Sequence, residues 1–307
     1  MIWRILGAAA VLAAGFLGYG YLSAFYQPPR RGEVDLLPKG TPTGAHGEMI
    51  RQLVEELQAL QPEEITIEAP DGTPLFARYY HVKDGAPIQI QCHGYRGTAL
   101  RDFCGGNHLA RELSHNTLVI DQRAHGRSGG TVITFGIRER YDVLAWIDYV
   151  NARFGGDTPI LLAGVSMGAA TVLLAVGLDL PENVRGVIAD CPYSSPASII
   201  RRVIRLRHLP VWPAFPLVRL AARLFGGFSI MEGDVEAALQ RAYVPVLLIH
   251  GEEDHFVPCD MSRRLYRACV SPKMIATFPG AGHGMSYPAD PARYREVVCA
   301  FLHSVGL

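Results

Sequence analysis

An excess of either charge is missing from this chain: its 307 residues carry 29 Lys plus Arg against 29 Asp plus Glu. A nucleic-acid-binding protein leaves a basic footprint, so that class of partner is excluded. Metal-ligand spacing is missing too. The six cysteines (Cys92, Cys104, Cys191, Cys259, Cys269 and Cys299) form no C-x-x-C pair and no Cys/His cluster of the zinc type, so a structural metal is not expected. Several of them sit in apolar runs, where a reduced thiol behaves as a small hydrophobe. Internal repeats and low-complexity segments are also lacking, which argues against a solenoid or a long disordered region. What remains is a chain that is 49% hydrophobic and long enough to bury one large core.

Charge is scarce at the N-terminus. From Ile5 to about Tyr26 the residues are apolar or small, with Arg4 before them and no further charge until Arg30. A run of that length can cross a hydrocarbon core of about 30 Å, so residues 1–26 are expected to form a single-span membrane anchor. Leu22-Ser23-Ala24 makes a poor cleavage site, which disfavours a removed signal peptide. Arg4 opposes Arg30, Arg31 and Lys39, so the flanking charges do not fix which side of the membrane the domain faces. Residues 27–47, rich in Pro and Gly, read as a linker, and the folded domain is expected over 48–307.

Within that domain an amphipathic helix over 49–60 precedes two β-type runs, 65–68 and 75–81, joined by the Asp71-Gly72 turn signal of a hairpin. Short apolar strands then alternate with helices. Strands are expected at 88–92, 117–121, 160–164, 184–190, 246–250 and 274–278, and helices at 103–114, 137–154, 167–176, 261–269 and 292–304. That alternation predicts a mostly parallel central α/β sheet with helices on both faces. Residues 192–243 interrupt it without strand character, which marks a helical lid insertion.

Chemistry enters at Gly164-Val165-Ser166-Met167-Gly168. A G-x-S-x-G pentapeptide is weak evidence alone, but here an apolar strand enters it and a helix-forming run leaves it, the setting of a nucleophile elbow. A serine hydroxyl needs a base, and the base needs an orienting carboxylate. Asp254 lies in a loop at the end of the 246–250 strand and is the expected acid, with Glu253 and Asp190 as weaker candidates. His283, in the glycine-bearing loop after the last strand, is the expected base. Oxyanion donors are expected from the Met167 amide and, in the loop His93 to Gly97, from the Tyr95 amide. His93 and His125 read as structural residues of their loops.

At these residues the chain resembles the α/β-hydrolase superfamily, from about residue 63 to the end. It looks like the small membrane-anchored members related to monoacylglycerol lipases and depalmitoylases. The motifs that carry the resemblance are H-G-Y-R-G (His93 to Gly97), D-Q-R-A-H-G-R-S (Asp121 to Ser128), G-V-S-M-G (Gly164 to Gly168), G-E-E-D-H-F-V-P (Gly251 to Pro258) and G-A-G-H (Gly280 to His283). The resemblance implies the α/β-hydrolase fold, a Ser166–His283–Asp254 triad, Tyr95 and Met167 as oxyanion donors, and no metal or organic cofactor. A serine in the elbow, where epoxide-hydrolysing relatives carry Asp, points to acyl transfer.

The basic, apolar lid segment (Ile199, Ile200, Val203 and Ile204 with Arg201, Arg202, Arg205 and Arg207) suits an interface. The expected substrate is therefore a small-molecule or lipid ester or thioester. A peptidase or amidase of the same fold is the competing enzyme reading, and a non-catalytic membrane-tethered scaffold is the competing non-enzyme.

Overall fold

Strands covered by helices on both faces can be apolar at every position, and that condition builds the centre of this molecule. The computed structural model describes residues 14–29 and 46–307. Helix α1 (described over 14–24) and α2 (Gly47–Ala59) precede β1 (Glu63–Glu68), β2 (Pro74–Tyr80) and β3 (Ile88–Cys92). Next come α3 (Ala99–Asp102), α4 (Cys104–Glu112), β4 (Asn116–Asp121), α5 (Glu139–Phe154), β5 (Ile160–Val165), α6 (Met167–Ala175) and β6 (Val184–Asp190). Three helices follow in the stretch expected as a lid, α7 (Pro196–Leu206), α8 (Val211–Phe225) and α9 (Val235–Leu239), the last packed against α6 and α10. The chain ends with β7 (Val246–Gly251), α10 (Asp260–Ala268), β8 (Lys273–Phe278), α11 (Ser286–Ala289) and α12 (Pro291–Ser304).

The eight strands form one sheet in the order β1-β2-β4-β3-β5-β6-β7-β8. β1 and β2 are the antiparallel hairpin, β2 runs antiparallel to β4, and the other pairings are parallel. β3, β4 and β7 are buried at every residue. One face is covered by α5 and α6, through side chains such as Trp146 and Leu173. The other is covered by α2, α4 and α12, through Leu53, Leu109 and Phe301. α2 shows how sequence spacing becomes packing: its buried residues Ile50, Leu53, Val54 and Leu57 fall at i, i+3, i+4 and i+7.

β3 and β6 cover the residues expected from sequence, and β4, β5, β7 and β8 are each one residue longer. The helix expected over 103–114 is α4, and the short α3 before it was not expected; Phe103, at φ −114°, ψ 12°, separates the two.

The N-terminal segment departs further from expectation. The anchor expected over 1–26 falls in its first part, and the linker over 27–47 in most of its length, outside the described residues. The remainder of the expected span is docked on the domain. Phe25 is fully buried, edge-on to Phe135 and Phe228 at 5.8 and 5.3 Å between ring centroids. Gln27 donates to the Thr131 carbonyl and Ile133 to the Phe25 carbonyl, a short antiparallel pairing that fixes the end of α1. Packing on the domain thus starts well before residue 48. Among the described residues no helix is long and apolar enough to cross a membrane.

Candidate active site

The site lies at the carboxyl ends of β5, β7 and β8, where strands hand over to helices and loops. Ser166 joins β5 to α6 with φ 56° and ψ −113°, a strained conformation that costs about 1–3 kcal/mol and persists only where the surroundings enforce it. They do so here through glycine. A Cβ on Gly168 would overlap the Cys92 carbonyl at the end of β3, and one on Gly164 would overlap the Gly168 carbonyl. Only hydrogen at both positions lets α6 start so close to the sheet. The Ser166 amide donates to the Asp190 carbonyl at 2.8 Å, which completes the elbow.

From Ser166 a continuous polar chain leads inward. Its Oγ lies 2.9 Å from His283 Nε2, and His283 Nδ1 lies 2.6 Å from Asp254 Oδ2. The other carboxylate oxygen of Asp254 accepts the amides of Phe256 and Val257 at 2.9 and 2.8 Å. Burial works against a charge on Asp254, but hydrogen bonding from His250 and His283, the His283 charge and the Val257 amide outweigh it. Together they hold the carboxyl well below its ordinary range. An ionised acid fixes the Nδ1–H tautomer of His283 and leaves Nε2 free to accept the serine proton. The Phe256 ring packs edge-on to His283 with centroids 5.1 Å apart.

Sequence reasoning did not single out His250 or Asp102. His250 Nε2 lies 3.3 Å from Asp254 Oδ2 and 2.8 Å from the Val257 carbonyl, and its Nδ1 lies 2.6 Å from Ser262 Oγ, so it braces the acid from behind. Asp102 accepts the Gly94 amide at 2.9 Å and is held by Arg101, which pins the 93–97 loop beside Ser166. A Cβ on Gly94 would stand 3.5 Å from Ser166 Cβ, so this loop passes directly over the serine. Met167 opens α6, where the first amides have no intrahelical acceptor. The two expected donors thus belong to the loop and the helix that adjoin Ser166, Tyr95 following Gly94 and Met167 following the serine itself.

The remaining candidates separate by position. Glu253 is exposed, whereas Asp254 is buried. Asp190 is buried at the end of β6, where burial pushes its carboxyl up, and it accepts from Ser286 Oγ at 3.1 Å. His93 accepts the Gln122 amide, and His125 accepts the Arg96 amide at 3.0 Å through Nε2, so both rings support loops.

All six cysteines are free. Ligand atoms of Cys191, Asp254 and His283 lie within 4.8 Å of one another, the one such cluster among the described residues. Two of those groups already bond each other, and burial together with the Asp190 and Asp254 charges pushes the Cys191 thiol well up, away from the thiolate that binds metal.

Beyond Ser166 opens a cavity of about 280 Å³ with an apolar lining from the lid (Ile199, Ile200, Val203, Ile204, Ala214, Val218) and from Tyr95, Phe135, Tyr193 and Phe256. α1 contributes Phe16, Tyr19, Gly20, Ser23 and Ala24, and Arg207 and Leu209 complete the lining.

Such a fold, with a nucleophile elbow and a Ser–His–Asp chain at the strand ends, is that of a hydrolase. The chain belongs to the alpha/beta hydrolase family, whose model matches residues 92–297. It is similar to the uncharacterised protein YqkD of Bacillus subtilis, 27% identical over 299 residues covering 96% of this chain and 94% of that protein. It is also similar to the lysophosphatidylserine lipase ABHD12 of Rattus norvegicus, 26% identical over 208 residues, which cover 62% of this chain and 48% of the lipase. Among solved structures, the esterase Pf2001 of Pyrococcus furiosus superposes with a TM-score of 0.69 at 22% identity, covering 91% of this chain and 98% of the esterase.

Proposed function

We propose that the protein is a serine hydrolase that cleaves a carboxylic ester or thioester of an acyl or lipid-like substrate. The observation that carries this reading is the Ser166–His283–Asp254 chain, with separations of 2.9 and 2.6 Å, opening onto an apolar cavity. Ser166 Oγ attacks the acyl carbonyl carbon while His283 Nε2 takes its proton. The oxyanion is held by the Tyr95 and Met167 amides, each worth about 3 kcal/mol. Collapse breaks the bond to the leaving alkoxide or thiolate, which leaves with the proton from His283, and the acyl group stays on Ser166. Water, losing a proton to His283, then releases the acid and restores the serine. Asp254 orients the imidazole and stabilises its charged form throughout. The lipase and esterase activities named for the relatives are of this chemical class.

The lid side of the molecule supports a place at a lipid surface. Trp212 is 79% exposed, and Tyr19, Leu22, Leu224 and Phe225 are also exposed. The surrounding segment, residues 196–231, carries Arg201, Arg202, Arg205, Arg207, Arg219 and Arg223 with no Asp or Glu. The apolar run from Ile5, which precedes α1 in the sequence, is the proposed attachment.

Turnover of a p-nitrophenyl ester series from acetate to decanoate tests the substrate class. The expected outcome is a kcat/KM that rises with acyl length, and no gain beyond acetate would exclude an acyl-chain substrate.

A further inference from the structure

The strand ends account for the polar half of the site, but the helix before the sheet borders the other half and touches the machinery directly. The cavity-lining residues of α1, at positions 16, 19, 20, 23 and 24, fall at i, i+3, i+4, i+7 and i+8, so one whole helical face is turned to the lumen. Gly20, Ser23 and Ala24 are small, and Phe16 stands about 12 Å from Ala24 along the axis. The helix lies close against the lid: a Cβ on Gly20 would stand 3.4 Å from Val218 Cγ2.

A helix leaves its last carbonyls without intrahelical partners, and here the missing donors come from the loop beside the nucleophile. The Tyr95 hydroxyl lies 3.2 Å from the Ser23 carbonyl and 3.0 Å from that of Ala24. Arg96 Nη2 donates to the carbonyls of Leu22 at 3.3 Å and Tyr26 at 2.9 Å, placing a cation at the negative end of the helix dipole. Arg96 itself has φ 52°, a backbone that must be held in place.

We propose that α1 is a specificity and positioning element of the active site: its inner face sets the acyl length the cavity accepts, and its terminal carbonyls, gripped by Tyr95 and Arg96, hold the oxyanion loop. This rests on the reading of Ser166 as nucleophile and of the cavity as the acyl pocket.

Two variants of the full chain test it against the ester series. Ser23→Leu puts bulk into the lumen, and the decanoate-to-acetate ratio of kcat/KM is expected to fall at least about 10-fold. Tyr95→Phe keeps the backbone amide and the ring stacked on Phe135 but removes the donor to α1. Here kcat is expected to fall about 10-fold at every acyl length, the order of one hydrogen bond, with KM little changed. Thermal midpoints and labelling by a fluorophosphonate are recorded for each, and Ser23→Val replaces Ser23→Leu if the latter does not fold.

A folded, labelled Ser23 variant with a ratio within twofold of wild type would overturn the wall, and an unchanged kcat in Tyr95→Phe would overturn the grip. Wild type that neither labels nor turns over esters would instead overturn the hydrolase reading beneath both.

Discussion

The two sides of Ser166 are made of different material. Toward His283 and Asp254 the site consists of polar groups on loops at the ends of β7 and β8, each fixed by hydrogen bonds of 2.6–2.9 Å. Toward the cavity it consists mainly of apolar side chains on α1, α7 and α8, joined by Tyr95, Phe135, Tyr193 and Phe256 from loops, and none of these lies in a strand of the sheet. A proton relay tolerates little displacement, since about 1 Å of misplacement can cost 10²-fold, and strand ends in a shared sheet supply that rigidity. An acyl chain needs volume rather than direction, and helices outside the sheet can supply it in many shapes. On the proposed reading, the difference assigns chemistry to the sheet and selectivity to the helices around it.

The comparison breaks first if the polar side is not the chemical side. Asp254→Asn would present an amide donor to His283 Nδ1 and favour the wrong tautomer, so kcat is expected to fall about 10⁴-fold. Glu253→Gln, at the exposed neighbour, is expected to stay within about twofold. Steady-state kinetics of the pair decides between the two acids, and equal losses would reassign the role.

A smaller effect sharpens the boundary between the sides. Asp102→Ala removes the acceptor of the Gly94 amide, and kcat is expected to fall about 10²-fold at all acyl lengths as the 93–97 loop relaxes. A change confined to long esters would place Asp102 with the selectivity elements instead.

The smallest effect lies away from both sides. Asp71, in the β1–β2 turn, receives a hydrogen bond from Arg123 that lowers its carboxyl from 3.8 to about 2, against the opposing effect of burial. The folded state therefore favours the carboxylate. The resulting stability is present above about pH 4 and is lost as pH falls through 2. The pair is partly exposed, so Asp71→Asn is expected to lower the thermal midpoint by only about 1–2 °C at pH 7. Midpoints measured from pH 7 down to 3 should show that difference narrowing once pH falls below 4, and a constant difference would remove Asp71 from the linkage.

The polar side was the legible side. Continuous apolar strands such as Ile88–Cys92 and Val184–Asp190 declare themselves by composition, and the Ser, Asp and His needed for the relay follow them in chain order. The bracing residues did not declare themselves. Asp102 serves a backbone amide, a partner with no side-chain signature, and His250 reads as the polar end of a strand until the 251–257 loop folds back on it.

The contacts of α1 were not legible for a physical reason. A helix with an apolar face buried on a protein and one bound for lipid have the same composition, so the docking of Phe25 and the capping of Ser23, Ala24 and Tyr26 leave no trace in the sequence.

The central claim is that Ser166 is the nucleophile. Incubation of the full chain with a fluorophosphonate, followed by mass spectrometry of the digest, tests it most directly. The account predicts a single adduct on Ser166 in wild type and none in a Ser166→Ala variant with the same thermal midpoint. A folded wild type without an adduct, or an adduct that survives the substitution, would contradict it.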